Sequence, residues 1–594
     1  MVRKRKLGYG DAQYLDGPRT LHEAADWPSQ VYRGLDKFDM EHGTACGERL
    51  RCKLSNTSVV ITSCFSGCGG AETAMACLSL GTSGLDAAEE DSSEDDQVED
   101  MLSDGEDGDD DVAEASTNST IVMYAATDIE RLPQKVLQNH PVSSAPLHVF
   151  GDVLDRLPHK VRDRCLQIQD GLLQQFADAQ ALHAMDSGAA SAASGDCDES
   201  SDENDDAVPA ATLAELATLK LKLGSLLVKK LIAELRKVRF NEKAWCVEHK
   251  QYCWIHPRSC SAWERFLWVE VAGPCCPPWS SMNQRQDRWL SASTLPALVW
   301  LFSTKWSQPD YIIHENSPGW DEQTCVDVFG EKSLARSPVS SFASCAGSYA
   351  SFSQLLCPTM LGLPCRRVRK YNLWIFKETA QIDLPPCYTF NDAFQEICYR
   401  NMQMTIASYL VAPPHVVLAE TRDALRRQGI HFEEEELVTN CMGVTSADWH
   451  RIEQYMEEAG NKGLFVGSCA ADNMDGKHTW SCSAALVNAS QNVSFCSSID
   501  TEQAPTLLRR SIIFDLVQQR LLAVPEHWMI QGYPHPQLLG KCKLSNMFPF
   551  SLMKLTPPQV RHLTGNGMHI ACVGSVIAVA FAITRDKAVP SVSL

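Results

Sequence analysis

The 594 residues include 24 cysteines, 44% hydrophobic and 21% charged residues, and a formal net charge of −21. That length holds one large domain or several ordinary ones. The cysteines follow no regular framework and no secretory signal follows MVRKRK, which argues against a disulfide-stapled secreted scaffold and for a reducing intracellular, nuclear setting.

The negative charge is local. Sixteen acids fall in Asp86–Glu114 and eight in Asp186–Asp206, both tracts without Lys or Arg, and the remainder carries about +3. A mildly basic body is compatible with a phosphate-facing groove. Residues 1–57 read as a polar N-terminal extension with no clear period, and the opening MVRKRK suits a nuclear import signal or a phosphate-binding arm. Val59-Val60-Ile61 opens a strand that runs into FSGCGG and then a helix over Ala71–Leu80. The acidic insert at about 84–119 is expected to be a disordered loop. IVMYAATDIE supplies a second strand and LHVFGDV a third. Leucine and isoleucine spacing over 160–185 and 212–240 predicts two helices, an inserted hairpin interrupted by a second disordered acidic insert at about 186–211. FLWVEVAG and PDYIIHEN supply a fourth and a fifth strand. Strands alternating with helices predict an α/β, doubly wound, mostly parallel Rossmann-like sheet over 58–377, with ligands at the carboxyl ends of its strands. Residues 378–510 show no long helix apart from 446–459 and read as a smaller domain, after which 511–594 returns to the first. The apolar run Ile570–Ile583 is about 14 residues long, short of the ~20 of a membrane span, so it reads as a buried helix and no membrane partner is expected.

Three consecutive strand ends carry related chemistry. FSGCGG places Gly67, Gly69 and Gly70 between strand and helix, where a backbone can approach a ligand and a helix N-terminus favours anions. The second strand ends in Asp128-Ile129-Glu130, where a ribose is gripped in nucleotide-binding sheets. The third ends in Gly151-Asp152, an acid able to accept from an adenine amine. Together they point to an adenosine-containing cofactor. The fourth strand ends in GPCCPPWSSMN, where Pro274, Pro277 and Pro278 lock the backbone around two thiols. A rigid loop presenting a thiol suits a nucleophile, and a buried structural pair or half a metal site has the same composition.

GPCCPPWSSMN resembles the Pro-Cys loop of the cytosine-5 DNA methyltransferase family, whose pattern is Gly-Pro-Pro-Cys-Gln-Gly-Phe-Ser-Gly-Met-Asn. Aligned without a gap, the nucleophile falls on Cys276. FSGCGG, TDIE and GDV resemble the family's first three motifs. HENSPG resembles its Glu-Asn-Val motif and gives Glu315 and Asn316. GLPCRRVR resembles its Gly-x-Pro-Gln-x-Arg-x-Arg and gives Arg367 and Arg369. LLAVPEHWMIQGYP and GNGMHIACVGSVIAVAFA resemble its two late motifs, the second contributing Asn566. The matches run in family order over roughly 59–583, with departures at Ser63, Cys275, Pro277, Ser317 and Cys365. The resemblance implies S-adenosyl-L-methionine bound by Phe65, Gly67, Gly69, Gly70, Asp128, Ile129, Asp152 and Asn566. It implies duplex DNA as partner with a cytosine flipped out of the stack; RNA is the alternative, since one branch of the family methylates tRNA, and the large separate recognition region and long N-terminal extension favour DNA. It further implies thiolate attack by Cys276, proton support by Glu315, Arg367 and Arg369 on the base oxygen, the nucleophile loop or phosphates, and a target-recognition role for 378–510. A decayed nucleic-acid-binding homologue is the non-catalytic alternative, and the Pro-Cys loop argues against a small-molecule methyltransferase. No protein partner is readable.

Cys246, His249, Cys253 and His256 have ligand-like spacing within CVEHKQYCWIHPRSC, but chance clustering competes in so cysteine-rich a chain and no metal is assigned. Trp263, Trp268, Trp279 and Trp289 are expected in core or loop packing.

Overall fold

The structure is a computed structural model that describes residues 14–83, 121–192, 210–259, 266–280, 283, 285–329, 349–429, 444–466, 479–493, 498–540 and 542–587. The MVRKRK start, most of both acidic inserts and Trp263 lie outside them.

Nine strands form one central sheet: β1 (Val59–Cys64), β2 (Ile121–Thr127), β3 (His148–Phe150), β4 (Lys243–Cys246), β5 (Gln251–Trp254), β6 (Leu267–Ala272), β7 (Tyr311–Asn316), β8 (Tyr349–Leu356) and β9 (Arg369–Phe376). Their spatial order is β5-β4-β3-β2-β1-β6-β7-β9-β8. The five strands from β3 to β7 are parallel, and the flanking hairpins β4–β5 and β8–β9 are antiparallel. Every residue of β1 and of β7 is buried, as expected for parallel strands covered on both faces, and each opens on an apolar run, Val59-Val60-Ile61 and Tyr311-Ile312-Ile313. The chain winds from β1 out to β3 and later returns to the other side of β1 at β6. The winding reverses there, and such a switch point, here at the carboxyl ends of β1 and β6, is where doubly wound sheets form a ligand crevice. The doubly wound α/β fold is therefore present.

One face is covered by helices drawn from opposite ends of the chain. Residues 14–57 are not the extension expected from the sequence. Helix Trp27–His42 buries Trp27, Val31, Leu35 and Phe38, a helical stripe with charged residues outside, and helix Cys46–Asn56 adds Leu50 and Leu54 to the same core. All thirteen residues of helix Ile570–Ala582 are buried there as well. A Cβ added to Gly574 would lie 2.0 Å from Cη2 of Trp27, so only glycine admits that indole.

The other face carries the inserted helical hairpin, Ala210–Leu235 against His159–Ala192, the latter running seven residues into the expected acidic insert. Leu172, Phe176, Leu223, Leu227 and Leu231 join the core built around Leu295, Leu298 and Trp300. Residues 380–410 also belong to the main core, and helix Pro414–Gln428 was not expected. A separate small core forms only from Ile452, Tyr455 and Ala459 with Ala485, Val487, Phe514 and Leu516, so the second lobe spans about 446–521 rather than 378–510.

Candidate active site

The turn after β1 is built from left-handed backbone. Phe65, Gly67 and Gly69 have φ of 56°, 57° and 78°. Gly69 is demanded twice, since a Cβ there would also stand 2.3 Å from Cε1 of His140. At Gly67 the space is open, and conformation alone asks for glycine. Helix Gly70–Ser83 starts at once, aiming its N-terminus at the crevice.

Asp128, at the end of β2, accepts from Gly67 N and Glu130 N, both at 2.9 Å. Burial pushes its carboxyl up to about 6. Ile129 beside it is 67% exposed, an apolar surface left open at a strand end. Asp152, after β3, accepts from Leu154 N at 2.9 Å and pairs with Arg162 at 3.0 Å. Asn566 ends helix Pro557–Asn566 and is exposed.

The Pro-Cys loop leaves β6 beside this turn. Asn316 donates to Pro274 O at 2.8 Å, so the end of β7 holds the loop in place. Trp279, Trp289 and Trp320 pack edge to face with centroids 4.9–5.2 Å apart and support its far side. With Trp268 also buried, three of the four tryptophans singled out from sequence are packing residues. The two thiols face different fields. Cys275 is exposed, with Arg509 and Glu130 as its charged neighbours. Cys276 is half-buried and feels Arg369, Glu315 and Arg367. Burial raises the Cys276 thiol above its ordinary range, with Arg369 opposing and Glu315 reinforcing.

Glu315 lies near the end of β7, opposite Tyr371 of β9, with Arg369 Nε 3.1 Å from its Oε1. Burial raises its carboxyl, and Arg369 and Arg367 hold it back. A Cβ on Gly273 would fall 2.8 Å from Cε of Met568 and 3.4 Å from Oε2 of Glu315, so this glycine keeps acid and loop in close approach. Cys276, Glu315 and Arg369 are thus brought together. Arg367 is placed elsewhere than expected. It is buried and donates to Leu507 O (3.1 Å), Gly565 O (3.3 Å) and Gly567 O (2.6 Å), tying the Asn566 segment to the stretch around Leu507, so its hydrogen bonds go to backbone carbonyls.

The departures from the family pattern have local explanations. Ser63 donates to Glu72, a buried carboxylate from the following helix, and shares a 2.7 Å hydrogen bond with Ser66. An acid is thereby returned from nine positions along the chain to the place where Ser63 lacks one. Cys365 is buried 3.4 Å from His569 Nε2, away from the loop. Ser317 turns back onto Asn316 Oδ1, which its own N–H also reaches at 2.8 Å.

Sequence reading missed Glu72, Met568 and Gln531, whose Nε2 donates to Gly567 O at 2.7 Å. It also missed the bridge over the mouth of the crevice, in which Glu130 meets Arg509 at 3.0 Å and His562 at 2.5 Å. None of these contacts has a local signature. His256 is not grouped with Cys246, His249 and Cys253: it is buried with its ring 5.6 Å from Trp268 and 6.0 Å from Trp306.

Several solved structures resemble this chain. One is the Entamoeba histolytica methyltransferase EhMeth, at 11% identity and TM-score 0.32 over 89% of this chain and 98% of that one. A putative DNA modification methyltransferase encoded within an E. coli prophage aligns at 11% identity and TM-score 0.37 over 89% and 99%. The S. pombe Dnmt2 methyltransferase aligns at 11% identity and TM-score 0.34 over 87% and 96%. No protein-family model and no curated protein matches the chain.

The donor set suits an adenosine cofactor. The glycine turn leads into a helix N-terminus, Asp128 and Asp152 offer carboxylates at the next two strand ends, and Ile129 offers an open apolar face.

Proposed function

We propose that this chain transfers a methyl group from S-adenosyl-L-methionine to carbon 5 of cytosine in DNA. The observation that carries the reading is the convergence of Cys276 with the Glu315–Arg369 pair at the ends of β6 and β7, beside the glycine turn of β1. The order of motifs along the chain supports it, with those after β1, β2, β3, β6 and β7 at carboxyl strand ends.

In this reading Phe65, Gly67, Gly69, Gly70, Asp128, Ile129, Asp152 and Asn566 hold the cofactor, which when bound supplies an electrophilic methyl on a sulfonium. The target base must leave the duplex stack to reach the crevice. The Cys276 thiolate forms a bond to carbon 6, and Glu315, whose hold on a proton is strengthened by burial, supports ring nitrogen 3 as the ring's electrons shift toward carbon 5. The methyl would pass to carbon 5 as its bond to sulfur breaks and leaves a neutral thioether; the carbon 5 proton is then lost to water, and the freed C–H electron pair expels the Cys276 thiolate. Arg369 positions Glu315. Asn316 positions the Pro-Cys loop. Arg367 braces the backbone segments that it joins and adds its positive charge to the field at Cys276 and Glu315. The lobe at 446–521 is the part free to read the target, linked to the site through the Arg366–Asp500 ion pair and the Arg367–Leu507 hydrogen bond.

The test uses duplex DNA containing 5-fluorocytosine together with the methyl donor. Fluorine cannot leave as a cation, so the Cys276–carbon 6 bond is trapped. The adduct should form with the native chain and with Cys275→Ser and vanish in Cys276→Ser. An adduct that survives Cys276→Ser overturns the nucleophile. Trapping on fluorinated tRNA but not on DNA overturns the substrate and leaves the chemistry.

A further inference from the structure

Away from the crevice, four metal-binding side chains meet where the β4–β5 hairpin joins the main sheet. His148 comes from β3, Cys246 from the end of β4, His249 from the connecting turn and Cys253 from β5. Their ligand atoms all lie within 4.8 Å of one another. His148 Nδ1 and His249 Nδ1 are 3.1 Å apart. Cys246 Sγ stands 3.9 Å from His148 Nδ1 and 3.5 Å from His249 Nδ1, and Cys253 Sγ stands 3.7 Å from His249 Nδ1.

These separations are the edges of a tetrahedron. Bonds of about 2.3 Å to sulfur and about 2.0–2.1 Å to nitrogen place S···N edges near ~3.5 Å and the N···N edge near ~3.3 Å. Two thiols and two imidazoles in that geometry suit zinc, and four protein ligands leave no open position for water. The turn is shaped for the purpose: Lys250, after His249, holds φ at 51°, a left-handed conformation that folds the hairpin back so that His249 faces the thiols. Cys246 and Cys253 are buried and His249 is exposed, so the ligands close over one another at the surface.

We propose that His148, Cys246, His249 and Cys253 bind one structural zinc ion that clamps the β4–β5 hairpin onto the central sheet. The clamp has a clear purpose. β4 meets β3 through the Phe150–Cys246 pair and the Val247 N to Val149 O bond of 2.7 Å, a short connection for a four-residue strand. β3 itself is three residues long and leads directly into Gly151 and Asp152. A metal bonded to His148 and to the hairpin fixes the strand that carries Asp152 into the crevice.

The test is metal analysis of the full chain purified under reducing conditions without chelator. One zinc per chain is expected, lost in Cys253→Ser and in His148→Asn and retained in His256→Gln. Replacement by cobalt(II) should give the visible bands of a tetrahedral dithiolate site. His249→Cys, which keeps four ligands and folds as a metal site, should keep the metal and shift the sulfur-to-cobalt charge-transfer band with the added thiolate. Zinc at the native level in Cys253→Ser, a Cys246–Cys253 disulfide in place of free thiols, or native chain with no zinc and unchanged stability on adding zinc would each overturn the proposal.

Discussion

Arg369 Nε stands 3.1 Å from Oε1 of Glu315, an ion pair across neighbouring antiparallel strands that also sets the field at Cys276. The two partners act on the thiol with opposite sign. Because burial and Glu315 raise the Cys276 thiol, less thiolate is present at a given pH. Alkylation by iodoacetamide should therefore rise through a midpoint above that of an ordinary thiol, about 8.5. Measured on Cys276 in a Cys275→Ser background, Glu315→Gln should lower the midpoint and Arg369→Ala should raise it further. Midpoints that move with neither substitution would separate this thiol from the pair.

The buried Arg367 satisfies three backbone carbonyls from two distant segments. Arg367→Ala takes this donor from Leu507 O and Gly565 O, while Gly567 O keeps Gln531 Nε2, and should destabilise the fold by about 3 kcal/mol in urea denaturation. Arg367→Lys should recover less than half of that, since one ammonium cannot span the fork. A native-like midpoint for Arg367→Ala would return this residue to the substrate face.

Glu72 supplies a third expectation. Burial holds its carboxyl up at about 7, with Ser63 donating to it. The unfolded chain releases that proton near the ordinary value of about 4.3, so ionisation increasingly opposes folding between that pH and about 7, at a total of about 3 kcal/mol. Glu72→Gln removes the term. The variant's stability relative to native should be near its minimum at about pH 4 and rise by roughly that amount by about pH 8. A difference that is flat with pH would show that Glu72 titrates normally.

The parts of this architecture that could be read from sequence are those whose signal is local. β1, β6 and β7 announce themselves because strands buried on both faces open on apolar runs, VVI, LWV and YII, and the reactive groups sit towards their carboxyl ends. Trp27, Val31, Leu35 and Phe38 were also legible in principle, since they fall on one helical face; polar residues between them obscured the period. The remaining features depend on meetings between distant segments. Ser63 reads as a lost acid until Glu72 is seen to reach it. Arg367 reads as substrate-facing because composition says nothing of burial. His148 could not be grouped with Cys246, 98 positions later, until the β3–β4 pairing placed them together.

The wall of the glycine turn comes from the far end of the chain. The Tyr533 hydroxyl lies 2.9 Å from the thiol of Cys68, 465 positions away, and Met568 lies beside Gly70. During synthesis the N-terminal half therefore emerges with this turn unsupported, and it must wait for nearly the whole polypeptide before its shape is secured. A premature stop upstream of those segments would release a chain whose sheet has most of its strands but whose first loop has nothing to lean against.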